Sequence, residues 1–194
     1  MAGRKRGKGR INRKKGIENK RAAMDIAARY LLLLLASLNS LWIFYIIFTP
    51  LTIQAAALLL KIFYTTEVYK NIILLNYEVV IDMVRACIAG SAYYLLLILN
   101  LTTARIKLKK RIWIFLFDSS LFFLLNIARI SLLAIMQVNK IAAFDITHKL
   151  FWYGMSTIYV VLIWILTINI FKIKNIPVYS DVRFLLEQAK RKLQ

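Results

Sequence analysis

Three residue types suited to acyl-transfer chemistry are spaced so that they can meet. Cys87 and His148 are the only cysteine and the only histidine, and Arg129 is a lone cation within an apolar run. A thiolate is a good nucleophile, an imidazole exchanges protons near neutral pH, and a guanidinium stabilises developing negative charge. Arg129 lies 18 residues beyond Arg111, and Cys87 lies 18 residues before Arg105. At 1.5 Å per residue each interval is about 27 Å of helix, measured from the same basic loop. His148 follows the polar stretch 138–147 and opens the last apolar run, so all three sit at one depth. Asn126 precedes Arg129 by one helical turn, and Asp145 precedes His148 by three residues, close enough to orient its ring. Each residue has a plainer explanation. A lone cysteine is usually a small buried hydrophobe, an arginine near a membrane boundary snorkels, and a histidine at a helix end caps it. The shared depth favours a joint site, since an ionisable group inside a membrane segment points to function. With one Cys and one His, neither an internal disulfide nor a Cys- or His-based metal cluster can form, and no cofactor is expected.

The elements that must position these residues follow from how charge and apolarity are segregated. The chain is 60% hydrophobic yet carries a formal charge of +19. Ten Lys or Arg and one acid, Glu18, fall within the first 21 residues, and apolar runs with almost no charge follow. Runs of about 20 apolar residues span a hydrocarbon core of roughly 30 Å. Four spans are expected: Ala28 to Phe48, ending at Thr49-Pro50; Ile88 to Ala104; Ile112 through Ala128 and past Arg129 to Met136; and Leu150 to Phe171. The first apolar run is too long for a signal peptide and lacks a small-x-small cleavage site, so it reads as a signal anchor. Residues 51–64 are apolar but short, interrupted by Gln54 and Lys61, and read as a re-entrant or interfacial helix. Residues 71–83 are rich in β-branched types and broken at Asn76-Tyr77, which predicts a short β-hairpin leading into Cys87.

Charge also orients the bundle. The N-terminal tail, the loop 105–111 and the segment after Pro177 hold most of the 28 Lys and Arg. By the positive-inside rule these segments are cytoplasmic, which puts both termini inside the cell membrane and the candidate site at the extracytoplasmic face. Val182, Leu185, Ala189 and Leu193 recur at helical spacing among cations, predicting an amphipathic helix over 178–193 on the inner surface. The expected organisation is a basic tail over 1–27, a transmembrane domain over 28–172 and a second basic tail over 173–194. The fold class is an all-α transmembrane bundle with a small hairpin. The basic tails read as topology signals that touch anionic membrane lipids, with no specific nucleic-acid partner. Asp118 lies too deep in its span to join the site.

Ala86-Cys87, then Gly90 at the head of a helix, then Asn126-Ile127-Ala128-Arg129-Ile130, then His148 opening the last span, resemble the exosortase/archaeosortase family over residues 50–172. The brevity is similar to its short pacearchaeosortase branch. The family commonly follows the cysteine with Ser-Gly, whereas Ile88 and Ala89 separate Cys87 from Gly90 here. The extra N-terminal spans of longer members are also lacking. The resemblance implies a cysteine transpeptidase with Cys87, Arg129 and His148 as catalytic residues and Asn126 orienting the arginine. It would act on exported proteins bearing a C-terminal motif, a hydrophobic helix and a basic cluster, transferring the product to an amine or lipid-linked acceptor. The competing expectation is a non-catalytic membrane insertase or scaffold, whose basic tail contacts the ribosome or lipid and in which Cys87 and His148 are incidental.

Overall fold

The computed structural model describes residues 2–104, 106–173, 175 and 177–193, and side chains over the same ranges apart from 2–19, 39, 40, 153 and 188–194. The expected roles of the basic side chains in 2–19, and of Ala189 and Leu193, lie outside the described residues. Helix α1 runs over Ala2–Leu60, strands β1, β2 and β3 over Thr66–Tyr69, Ile72–Leu75 and Val79–Asp82, and a single turn, α2, over Arg85–Ile88. Then come α3 (Gly90–Thr102), α4 (Leu108–Val138), α5 (Phe144–Leu150), a π-helical turn (Phe151–Met155), α6 (Ser156–Phe171) and α7 (Tyr179–Leu193).

Among the described residues, three segments are long and apolar enough to cross a membrane: Leu41–Leu60, Arg85–Thr102 and Leu108–Val138. The apolar helix Ser156–Phe171 is shorter, although it continues the helical path from Phe144 through the π-turn. Large apolar side chains cover the outside of the bundle: Leu31, Leu35 and Ile46 on α1, Trp113 and Leu124 on α4, and Leu162 and Ile165 on α6 are all exposed. Continuous apolar surface of this kind suits lipid.

Two expectations at the start of the chain are corrected. Pro50 sits inside α1 rather than ending it, and the span-length segment is Leu41–Leu60, so residues 51–60 form no separate re-entrant helix. Packing explains this. Ile53, Ala56, Ala57 and Leu60 are buried against Ile73, Leu75, Met83, Ile88, Ile130 and Ala134. Burying several apolar side chains at about 1.5–3 kcal/mol each outweighs the roughly 3 kcal/mol that an interior proline costs. The expected hairpin is the second half of a three-stranded antiparallel sheet ordered β1-β2-β3. Its turn matches the predicted break: Asn76 and Tyr77 both take positive φ (51° and 60°) and the Glu78 N–H donates to Leu75 O, as a type I′ turn requires. β1, which the sequence does not predict, takes its register from β2.

A second cluster joins α1, α3, α4 and α6. Tyr93 is fully buried between Phe48, which stacks on it at 3.6 Å, and Phe122, which meets it edge-on at 4.9 Å. Asp118, also fully buried, accepts a hydrogen bond from Thr167 Oγ1, tying α4 to α6.

The last carbonyls of a helix have no intrahelical partner, and at the end of α3 five in succession are met from elsewhere. Arg111 donates to Asn100 O and, at 2.6 Å, to Thr103 O; Arg29 Nη1 donates to Leu101 O (2.7 Å). Val178 N–H reaches Thr102 O (3.0 Å) and Asn175 Nδ2 reaches Ala104 O (2.9 Å). Arg29 also pairs with Asp181 of α7 at 3.0 Å, and both are buried. The segments expected on one side of a membrane, 25–29, 100–111 and 171–183, therefore meet at one end of the bundle.

Breaking a buried ion pair from one side strands the remaining charge, at a cost of roughly 3–5 kcal/mol. Thermal unfolding in detergent should show Arg29→Ala strongly destabilised, and Asp181→Ala added to it should cost far less than Asp181→Ala alone. Additive losses would show that the pair is not coupled.

Candidate functional site

Cys87 lies in the single turn α2, after β3 and before α3. The break between the two helices falls at Ala89, which takes the left-handed conformation with φ 55°, a setting that non-glycine residues seldom adopt. Gly90 then opens α3 with negative φ, so glycine is needed there for space rather than for backbone freedom. A Cβ at Gly90 would stand 2.8 Å from the Tyr45 ring of α1. Arg85 also packs on that ring, its guanidinium carbon 5.3 Å from the centroid.

Asn126 and Arg129, one turn apart on α4, both address the backbone of α2. Asn126 Nδ2 donates to Cys87 O at 2.9 Å, and Arg129 Nη2 donates to Cys87 O and Ala86 O at 3.3 and 3.4 Å. Arg129 Nη1 donates to Ser156 Oγ on α6 at 3.0 Å. Arg129 thus fastens the cysteine turn to α6. Its remaining donor, Nε, is buried without a partner, as is Asn126 Oδ1. The Cys87 thiol is half-buried, with Sγ 4.0 Å from Asp82 O at the end of β3.

His148 belongs to α5 and is exposed. Its ring stacks on Phe144 (centroids 5.5 Å apart, planes within 4°) and meets Trp152 edge-on at 5.9 Å. Residues four apart share a helix face, so Phe144, His148, Trp152 and Ser156 form one stripe. A cavity of about 330 Å³ brings the three sequence candidates together: Cys87, Arg129 and His148 all line it, with Asp82, Gln137, Phe144, Trp152 and Ser156. Asp145 does not line this cavity and makes no hydrogen bond to His148 among the described residues. Ser156 and the two aromatic neighbours of His148 were not singled out in the sequence, although their four-residue spacing was visible there.

This arrangement puts a thiol, an imidazole and a guanidinium around one cavity. Among the described residues no group of three or more His, Cys, Asp or Glu could hold a metal ion. No family model, curated protein or solved structure matches the chain.

Because Asn126 and Arg129 serve the same carbonyl, their contributions should be coupled. In a double-mutant cycle of Asn126→Ala and Arg129→Met, followed by thermal unfolding, the combined loss should differ from the sum by about 0.5–3 kcal/mol. Simple additivity would mean that the two side chains hold α2 independently.

Proposed function

We propose that this chain is a membrane-embedded cysteine protease or transpeptidase of the exosortase/archaeosortase kind. The observation that carries the reading is that Cys87, Arg129 and His148, from three separate segments, line one cavity. The membrane setting rests on the three span-length apolar helices and the exposed apolar surface. In this reading the continuous path Phe144–Phe171 makes the fourth crossing, the basic end faces the cytoplasm, and the sheet and cavity face the exterior.

The reaction begins with transfer of the Cys87 proton to His148 and attack of the sulfur on a peptide carbonyl. The oxyanion that forms is stabilised by the positive charge of Arg129. Collapse breaks the C–N bond, the leaving amine takes the proton from His148, and an acyl thioester remains on Cys87. An acceptor amine, a lipid-linked nucleophile or water then attacks the thioester, and the thiol is regenerated. The substrates are exported proteins with a C-terminal motif, a hydrophobic helix and a basic cluster. That helix would lie against the bundle within the bilayer and deliver the motif to the cavity.

Co-expression with such a substrate, followed by the mass of its C-terminal fragment, tests this reading. Wild type should release the hydrophobic tail, Cys87→Ala should abolish release, and His148→Ala should slow it by about 10²–10⁴-fold. Deleting residues 2–19 should leave it unchanged. Release that survives Cys87→Ala, or stops only on loss of the basic tail, would favour the insertase or scaffold reading instead.

A further inference from the structure

Strand β3 has hydrogen-bonded only one of its two edges. In the sheet order β1-β2-β3 it pairs with β2 alone. The register matches Ile73 with Ile81 and Leu75 with Val79, and one step further the Met83 N–H donates to Asn71 O at 2.8 Å. Peptide groups in an antiparallel pair alternate in direction, so residues 79, 81 and 83 bond toward β2 while Val80 and Asp82 direct theirs the opposite way. Asp82 O is already engaged, by Val84 N–H at 3.1 Å and by the Cys87 thiol. That leaves Val80 N–H, Val80 C=O and Asp82 N–H along the open edge, and Val80 is 55% exposed.

This edge is a wall of the cavity. Val80, Ile81, Asp82 and Met83 line it together with Cys87 and the α4 residues Arg129 and Ile130. An open edge recruits extended chain, because unpaired N–H and C=O groups recur along it at the spacing of a strand. Its C-terminal residue is the one whose carbonyl the thiol approaches, so a chain aligned on β3 is carried to the sulfur. Arg129, which also lines the cavity, adds positive charge beside this edge.

We infer that β3 is a substrate-binding edge, and that an extended peptide pairs with Val80 and Asp82 as a fourth strand, placing its scissile carbonyl beside Cys87. The inference rests on the proposed thiol chemistry only in calling the peptide a substrate; the docking itself does not depend on turnover. Recognition of this kind reads main chain. The enzyme would accept varied side chains where the peptide lies along β3 and require an extended, proline-free stretch there.

The test measures alkylation of Cys87 in the detergent-solubilised full-length protein, with no natural substrate required. The probes are a tetrapeptide Ala-Ala-Val-Ala ending in a vinyl sulfone, the same peptide N-methylated at alternate amides, and methyl vinyl sulfone. Edge pairing predicts that the tetrapeptide labels Cys87 at least about tenfold faster than methyl vinyl sulfone, as two backbone hydrogen bonds would give. N-methylation in one of the two alternating registers should remove this advantage and in the other retain it. Val80→Pro deletes an N–H that β2 does not use, at a position where an edge strand tolerates proline. It should abolish the tetrapeptide advantage while leaving methyl vinyl sulfone labelling unchanged. Should Val80→Pro fail to fold, the N-methyl series on wild type still decides. Equal rates for the tetrapeptide, both N-methylated peptides and methyl vinyl sulfone, or equal effects of both N-methyl registers, would overturn the inference. Cys87-independent processing in cells, with edge-dependent labelling intact, would remove the transpeptidase reading and leave the peptide-binding edge standing.

Discussion

Helix α4 fixes both ends of its neighbour α3, and the site depends on that restraint. Near the start of α3, Asn126 and Arg129 hold Cys87 O; at its finish, Arg111 holds Asn100 O and Thr103 O. Eighteen residues separate the two arginines, about 27 Å of α4. Lipid offers no hydrogen-bond partner to an exposed carbonyl, so carbonyls at the ends of α3 take partners from within the protein. Cys87 is therefore held by the same helix that supplies partners to the far end of α3. Stability and positioning cannot be separated at this point in the fold.

The sequence revealed the parts of this arrangement that follow from depth. Counting residues from the basic loop placed Cys87 and Arg129 at one level, and the cavity they share with His148 lies there. It also singled out Asn126 and Arg129 on α4, but expected Asn126 to orient the arginine, whereas its amide donates to Cys87 O. What counting could not supply was the partner. Arg129 was expected to face a substrate oxygen, yet two of its nitrogens are occupied by backbone and Ser156. Whether a guanidinium meets backbone or ligand depends on how two helices rotate about their axes, and periodicity in one helix says nothing of the other.

The misjudged elements share a cause. Proline at position 50 reads locally as a helix end, and residues 66–69 carry no local mark of a strand. Both were overruled by contacts distant in sequence. The segment after Pro50 packs against β2, Met83 and α4, and β1 gains its register from β2. Local propensities of up to about 3 kcal/mol are small beside the burial of a shared core. The turn at Asn76-Tyr77 was legible because its requirement, positive φ at two residues, is local.

Arg129 is asked to do two things that pull in different directions, and its geometry shows how both can be met. A guanidinium has five N–H donors in a rigid plane, so it can be fixed by some while another remains available. Nη1 and Nη2 are committed to Ser156 and the cysteine turn, which locks the plane; Nε is left unpaired. A lysine could supply the same charge but not this division, because its donors rotate together about one atom. Arginine therefore suits a position that must tie the Cys87 turn to α6 through two nitrogens at once. An unpaired buried donor costs free energy, a cost set against the three hydrogen bonds that Nη1 and Nη2 make.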